Sequence, residues 1–115
     1  MKILIVDDDP DCLETLAEAL LPAEFSIIAA NSPLEALEIA REDASIQLVI
    51  TDVWMPKMDG LEFIRKLEII KPDLKVIAVS GDRLLKPMIV NLPNCYAYFH
   101  KPVCFFSLIE TIGTL

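Results

Sequence analysis

The sequence predicts a doubly wound α/β sandwich, five strands alternating with five helices around one parallel sheet. Two patterns carry that reading. Short, near-continuous apolar runs rich in β-formers alternate with stretches whose apolar residues recur at helical spacing. The residues that close four of the five apolar runs are carboxylates, a hydroxyl or an ammonium, the chemistry expected where open α/β sheets bind ligands.

The elements follow in order. Lys2 to Val6 reads as a first strand buried on both faces. Leu13, Leu16, Ala17 and Leu20 repeat at i, i+3, i+4 and i+7, one face of a helix. Phe25 to Ala30 is the second strand. Asn31-Ser32-Pro33-Leu34-Glu35 then offers a serine N-cap, proline at the first helical position and glutamate three past the cap, and Leu34, Leu37 and Ala40 mark the inner face of the helix it opens. Gln47 to Ile50 is the third strand. Leu61, Ile64 and Leu67 pattern the third helix, which Lys71-Pro72 ends, because a residue before proline is pushed out of the α region. Lys75 to Val79 and Ala97 to Phe99 are the last strands. Right-handed crossovers between parallel strands turn this alternation into a layered sandwich.

The fourth helix is the irregular one. Pro87 falls at its middle and Pro93 near its end, so it either starts late, near Pro87, or is broken. At least half of Leu84, Leu85, Met88, Ile89 and Val90 are expected in the core, the rest forming a contact surface. The fifth helix is short and carries Phe105, Phe106, Leu108, Ile109 and Ile112.

Composition bounds the function classes. The chain has 115 residues, enough for one domain with a real core, and residues 1–115 read as a single domain without linker or repeat. No apolar run approaches the ~20 residues that span a bilayer. The N-terminal apolar run meets three aspartates too soon for a signal peptide. A soluble, cytoplasmic protein is expected, with no membrane partner. The net charge of −8 argues against direct nucleic-acid binding. Cys12, Cys95 and Cys104 are an odd number without metal-ligand spacing, expected as reduced and mostly buried thiols.

The strand ends carry the chemistry. Strand 1 ends in Asp7-Asp8-Asp9, strand 3 in Thr51-Asp52, strand 4 in Ser80-Gly81 and strand 5 in Lys101-Pro102. Carboxylates converging on one edge repel, and a hard divalent cation removes the conflict. Mg²⁺, with Mn²⁺ as its substitute, suits such oxygens and keeps room for a phosphoryl group. Lys101 supplies a positive charge for phosphoryl oxygens and Ser80 a hydroxyl donor, which are the parts phosphoryl transfer needs.

Over these residues the chain resembles the receiver domain of two-component response regulators, from Lys2 to about Ile112. The matching stretches are Ile3 to Asp9, Ile50 to Leu61 with its Asp-x-x-Met-Pro-x-Met-Asp-Gly segment, Val79-Ser80-Gly81 and Lys101-Pro102. The resemblance implies the flavodoxin-like strand order 2-1-3-4-5 and a cis peptide at Lys101-Pro102. It implies that Asp52 is the phosphoacceptor, Asp8 a direct metal ligand, Asp7 a ligand through water, and the main-chain carbonyl of Trp54 a further ligand. Ser80 and Lys101 would hold the phosphoryl group, and Tyr98 would be the switch aromatic. Implied partners are a sensor histidine kinase or phosphotransfer protein and an output protein or fused output domain, with dimerisation among the family's behaviours. Receivers catalyse only their own phosphorylation and dephosphorylation.

Trp54 and Asp82 border the site, where each has a plain packing or capping role as its alternative; His100 reads as structural. A receiver fold that binds partners without switching is the competing reading, motivated by the distorted fourth helix. A flavin carrier on the same fold is disfavoured, because the first βα loop is acidic and lacks a phosphate-cradling sequence. A phosphatase acting on other molecules is disfavoured by the lack of a second catalytic acid or a substrate lid.

Overall fold

The computed structural model describes residues 1–115. Strands β1 (Lys2–Val6), β2 (Ser26–Ala30), β3 (Ile46–Asp52), β4 (Lys75–Ser80) and β5 (Cys95–His100) alternate with helices α1 (Pro10–Leu20), α2 (Pro33–Glu42), α3 (Gly60–Ile70), α4 (Lys86–Ile89) and α5 (Phe105–Ile112). All strands are parallel, in the order β2-β1-β3-β4-β5. No helix is long and apolar enough to cross a membrane.

The period-2 alternation of the central strands divides the core into two layers. Ile3, Ile5, Ile50, Ile77 and Val79 face α1 and α5, where Leu20, Leu108 and Ile112 are buried against them. Leu4, Val6, Val49, Val76 and Ala78 face α2, α3 and α4, where Ala36, Leu37, Phe63, Ile64, Leu67 and Ile89 fill the space. Leu34, expected on the inner face of α2, is 54% exposed. It sits in the first turn, and Ala36, Leu37 and Ala40 carry the buried stripe instead.

Local signals decide where helices begin. Ser32 caps α2, accepting from the Glu35 N–H, with Pro33 at the first position. Asp9 caps α1 and Asp59 caps α3 in the same way, accepting from Asp11 N–H and Glu62 N–H. α3 stops at Ile70, before Lys71 and Pro72.

α4 starts late and lasts one turn, with Pro87 in its opening positions where the missing N–H costs nothing. Of its apolar residues only Ile89 is buried and Leu85 packs partly on the core; Leu84, Met88 and Val90 are 68%, 46% and 42% exposed. The expectation that at least half would be buried fails because a single turn turns only one face inward. In the segment that follows, Asn94 is buried and its Nδ2 donates to Ile64 O at 3.1 Å, pinning the entrance of β5 to α3.

The three thiols are free, but they are not mostly buried: Cys12 and Cys95 are half-buried and Cys104 is exposed. Cys12 lies in the first turns of α1 and Cys104 caps α5, positions at the rim of the sandwich rather than inside it.

Candidate functional site

Strand register assembles the site. Val6 pairs with Thr51, so Asp7 and Asp52 are the next residues on adjacent strands. Asp52 pairs with Val79, which brings Ser80 one step further, and Ser80 pairs with His100, which places Lys101 just past it. The ladder continues beyond the strands through Val53 N–H to Val79 O at 3.2 Å and Lys101 N–H to Ser80 O at 2.9 Å. The Lys101–Pro102 peptide is cis, as the resemblance implied.

The three aspartates after β1 divide into different roles. Asp7 is 8% exposed, and its Oδ1 accepts from the Asp9 N–H at 3.0 Å. Asp8 is exposed, and Asp9 is spent on the α1 cap. One carboxylate oxygen from each of Asp7, Asp8 and Asp52 lies within 4.8 Å of the other two. Burial raises the Asp7 pKa above the usual carboxylate range; the Asp9 N–H opposes this, and the neighbouring charges of Asp52 and Asp8 add to it. The cluster therefore carries an unbalanced negative charge in a half-dry setting. A hard cation with oxygen ligands fits this donor set.

The Asp52 carboxylate is oriented at both oxygens. Oδ1 accepts from Val53 N–H at 2.7 Å and Trp54 N–H at 3.4 Å, and Oδ2 accepts from Lys101 Nζ at 3.2 Å. Lys101 Nζ also stands 3.5 Å from Asp7 Oδ2. Burial works against the charged ammonium, but Asp52 and Asp7 outweigh it and hold the Lys101 pKa above its ordinary value. The loop after Asp52 is held by backbone geometry: Lys57 adopts φ 71°, the left-handed region, and Gly60 N–H donates to Val53 O at 2.6 Å. The Trp54 ring is 42% exposed at the rim.

Ser80 is fully buried, and its Oγ accepts from the Asp82 N–H at 3.0 Å. The carbonyl of that same Asp82 accepts from the Tyr98 hydroxyl at 3.0 Å. One residue thus joins Ser80 to Tyr98. The Asp82 carboxylate accepts from Leu84 N–H at 2.7 Å and does not cap α4. Around the Tyr98 ring, Lys86 Nζ lies 5.7 Å from its centroid and the His100 ring packs at 5.4 Å. Lys86 Nζ is 3.2 Å from His100 Nε2.

All the strand-end residues singled out in the sequence reach this edge. Sequence reasoning missed Lys86 as the neighbour of Tyr98 and His100, and it missed the α1 side of the site. Asp11, Cys12, Thr15 and Leu16 share the walls of a cavity with Asp7, Asp52 and Lys101. The helical spacing in α1 marks its apolar face, but nothing in it signals a gap between α1 and α5.

The chain is similar to known proteins in sequence and in fold. A family model described as the response regulator receiver domain matches residues 3–112. The chain is 36% identical over 105 residues to the two-component response regulator ORR23 of Oryza sativa subsp. indica, covering 90% of this chain and 15% of that protein. It is 34% identical over 116 residues to the response regulator MprA of Mycobacterium leprae, covering 100% of this chain and 50% of that protein. The chain thus spans half or less of the length of these curated relatives. A response regulator receiver domain protein from Clostridium thermocellum superposes with TM-score 0.90 at 30% identity, over 98% of this chain and 91% of that one. A CheY-like receiver domain protein from Methanospirillum hungatei gives TM-score 0.90 at 30% identity, over 98% and 90% of the two chains.

Proposed function

Because the chain belongs to the response regulator receiver domain family, we propose that residues 1–115 form one phosphoacceptor domain that takes a phosphoryl group on Asp52 with Mg²⁺ as cofactor. The observation that carries this reading is the meeting of Asp7, Asp8 and Asp52 oxygens within 4.8 Å, with Lys101 Nζ 3.2 Å from Asp52.

Asp8 would hold the ion directly, Asp7 through water, with Asp52 and the main-chain carbonyl of Trp54 completing the protein's ligands. When bound, the ion offsets the repulsion among carboxylates and the charge of the phosphoryl oxygens. The Asp52 carboxylate is the nucleophile. Its Oδ1 is held by two backbone N–H groups, which leaves Oδ2, bonded only to Lys101, to attack phosphorus. The new bond is Oδ2–P; the bond from phosphorus to the donor's nitrogen or oxygen breaks, and its electron pair leaves with the donor. Lys101 then follows the negative charge from Oδ2 to a phosphoryl oxygen.

The signal passes through Asp82. Ser80 Oγ accepts from the Asp82 N–H while its own O–H proton remains free for a phosphoryl oxygen, so a shift of Ser80 toward the phosphoryl group pulls on Asp82, whose carbonyl Tyr98 holds. Reaction at Asp52 is thereby coupled to the Tyr98 ring. The donors that fit are the phosphohistidine of a sensor kinase or phosphotransfer protein and small phosphodonors. The receiver of an output protein or of a fused output domain works in the cytoplasm, and we assign this chain there.

The decisive experiment treats the protein with acetyl phosphate and Mg²⁺ and records intact mass beside Asp52→Asn. A single phosphoryl adduct that requires Mg²⁺ and is lost in the variant is expected. A one-turn α4 that, with its flanks, leaves Leu84, Met88 and Val90 exposed favours the second reading, a receiver fold that binds partners without switching. No adduct together with no Mg²⁺ binding selects it.

A further inference from the structure

We propose that the cavity between α1, α5 and the sheet, beneath the acidic site, binds a small organic ammonium compound, its charged head among the site carboxylates and its apolar body in the cavity. The cavity measures about 640 Å³, within the size range of small-molecule sites. Leu16, Ile50, Val79, Val103 and Phe105 supply apolar wall. Asp7, Asp11, Asp52 and Lys101 supply the charge, three carboxylates against one ammonium.

α5 has only 8 residues, and α1 contributes the small Cys12 and Thr15 beside Leu16. The cavity is open to solvent on one side, and its apolar wall favours an apolar body by removing part of that body's surface from water. The charge at the rim then selects the head. Lys101 already pairs with Asp52 at 3.2 Å and Asp7 at 3.5 Å, so its charge is engaged and the surplus is negative. An anionic head is repelled, an uncharged one gains little, and an ammonium both pairs with carboxylates and donates hydrogen bonds to them. Since the head and Mg²⁺ draw on the same Asp7 and Asp52, the two compete, and an occupied cavity holds the acceptor aspartate in an unreactive form.

The test needs no phosphodonor, so it is independent of whether Asp52 is phosphorylated. ¹⁵N-labelled protein is titrated with 4-phenylbutylammonium, 4-phenylbutanol and 4-phenylbutanoate, with amide shifts as the readout. The expected result is movement of Thr15, Leu16, Val103 and Phe105 amides by the ammonium, tenfold or tighter binding than the alcohol, and no binding of the carboxylate. Saturating Mg²⁺ weakens the ammonium at least tenfold. Asp11→Asn, at an exposed helical position, weakens it severalfold, and Thr15→Trp, which fills the cavity mouth, abolishes the shifts. Equal affinity for ammonium and alcohol, shifts confined to residues outside the cavity, or indifference to Mg²⁺ in protein that a direct titration shows to bind Mg²⁺ would overturn the proposal, whereas absence of Mg²⁺ binding overturns only the metal reading on which the competition rests.

Discussion

Lys101 Nζ donates to Asp52 Oδ2 at 3.2 Å across 49 residues of sequence, a contact made by the neighbouring strand ends of β3 and β5 flanking β4. The lysine is the positive charge beside Asp52 and Asp7, and in the proposed reaction its removal would leave the phosphoryl oxygens without a protein cation. Lys101→Ala is expected to slow adduct formation with acetyl phosphate on the order of 10²-fold, the scale for loss of one preorganised charge-stabilising donor. Time-resolved intact-mass measurement at saturating Mg²⁺ checks this. An unchanged rate removes Lys101 from the chemistry.

In the metal-free protein burial, with the nearby Asp52 and Asp8 carboxylates, disfavours the ionised form of Asp7 and outweighs the Asp9 N–H and Lys101, which favour it, so its pKa is raised. Asp7→Asn keeps the shape and removes the repulsion. Without Mg²⁺ at pH 7, the variant should melt roughly 4 °C higher, on the order of 1 kcal/mol for a domain of this size. Added Mg²⁺ should raise the wild-type Tm and leave the variant nearly unmoved. Thermal denaturation with and without Mg²⁺ gives both numbers; a lower metal-free Tm for the variant contradicts the argument.

Much of this was legible in the sequence, for reasons that differ by element. β1 and β3 are buried on both faces, so their apolar runs leave no ambiguity, and the site carboxylates lie just past the end of β1 and at the last residue of β3. β5 is an edge strand with half-buried Cys95 and His100 and exposed Tyr96, so its apolar pattern shows only from Ala97 to Phe99. The thiols and the residues of α4 were misplaced because their exposure depends on how much of the sheet each helix covers. The cavity beside Asp52 was invisible for a related reason, since its wall is shared by residues of α1, α5, the sheet and the loop after β5 that lie far apart in the sequence.

Gly60 opens α3 directly against Val53, which follows Asp52 at the end of β3. A Cβ there would stand 2.8 Å from the Val53 Cα, a backbone atom with no room to yield. Gly60→Ala should therefore destabilise the fold by ~1–3 kcal/mol through overpacking, although alanine is the better helix former. Urea denaturation measures it. A neutral or stabilising effect would mean that the loop between β3 and α3 moves freely, contrary to the Val53–Gly60 hydrogen bond.

His100 is held neutral by partial burial and by the charges of Arg83 and Lys86, which lower its pKa from 6.5. Lys86 Nζ donates to its Nε2 only in that neutral form. A histidine with a depressed folded-state pKa leaves the unfolded chain holding more protons, so stability rises with pH through that window. The contribution is fully present above about 6.5, the ordinary histidine value, and is lost as pH falls through the folded-state pKa. Acidification should loosen the α4–β5 edge, and His100→Gln should flatten this part of the Tm–pH curve. An identical slope in the variant would place the acid sensitivity elsewhere.

The three thiols should separate by reactivity. Cys104 is exposed, and the Ser107 hydroxyl, donating to its Sγ at 3.4 Å, together with nearby backbone N–H groups, lowers its pKa. Cys12 is half-buried, and its own bond to the Asp9 carboxylate at 3.3 Å raises its pKa first, with burial and the Asp7 charge adding to the effect. Burial raises that of Cys95. Since the thiolate is the reacting species, alkylation at pH 7 should proceed in the order Cys104, then Cys12, then Cys95. Peptide mapping after timed iodoacetamide treatment reads the order directly. Asp9→Asn removes the carboxylate that stabilises the Cys12 thiol and should speed alkylation there while leaving Cys104 unchanged; equal acceleration at both would point to general loosening of α1 and α5 instead.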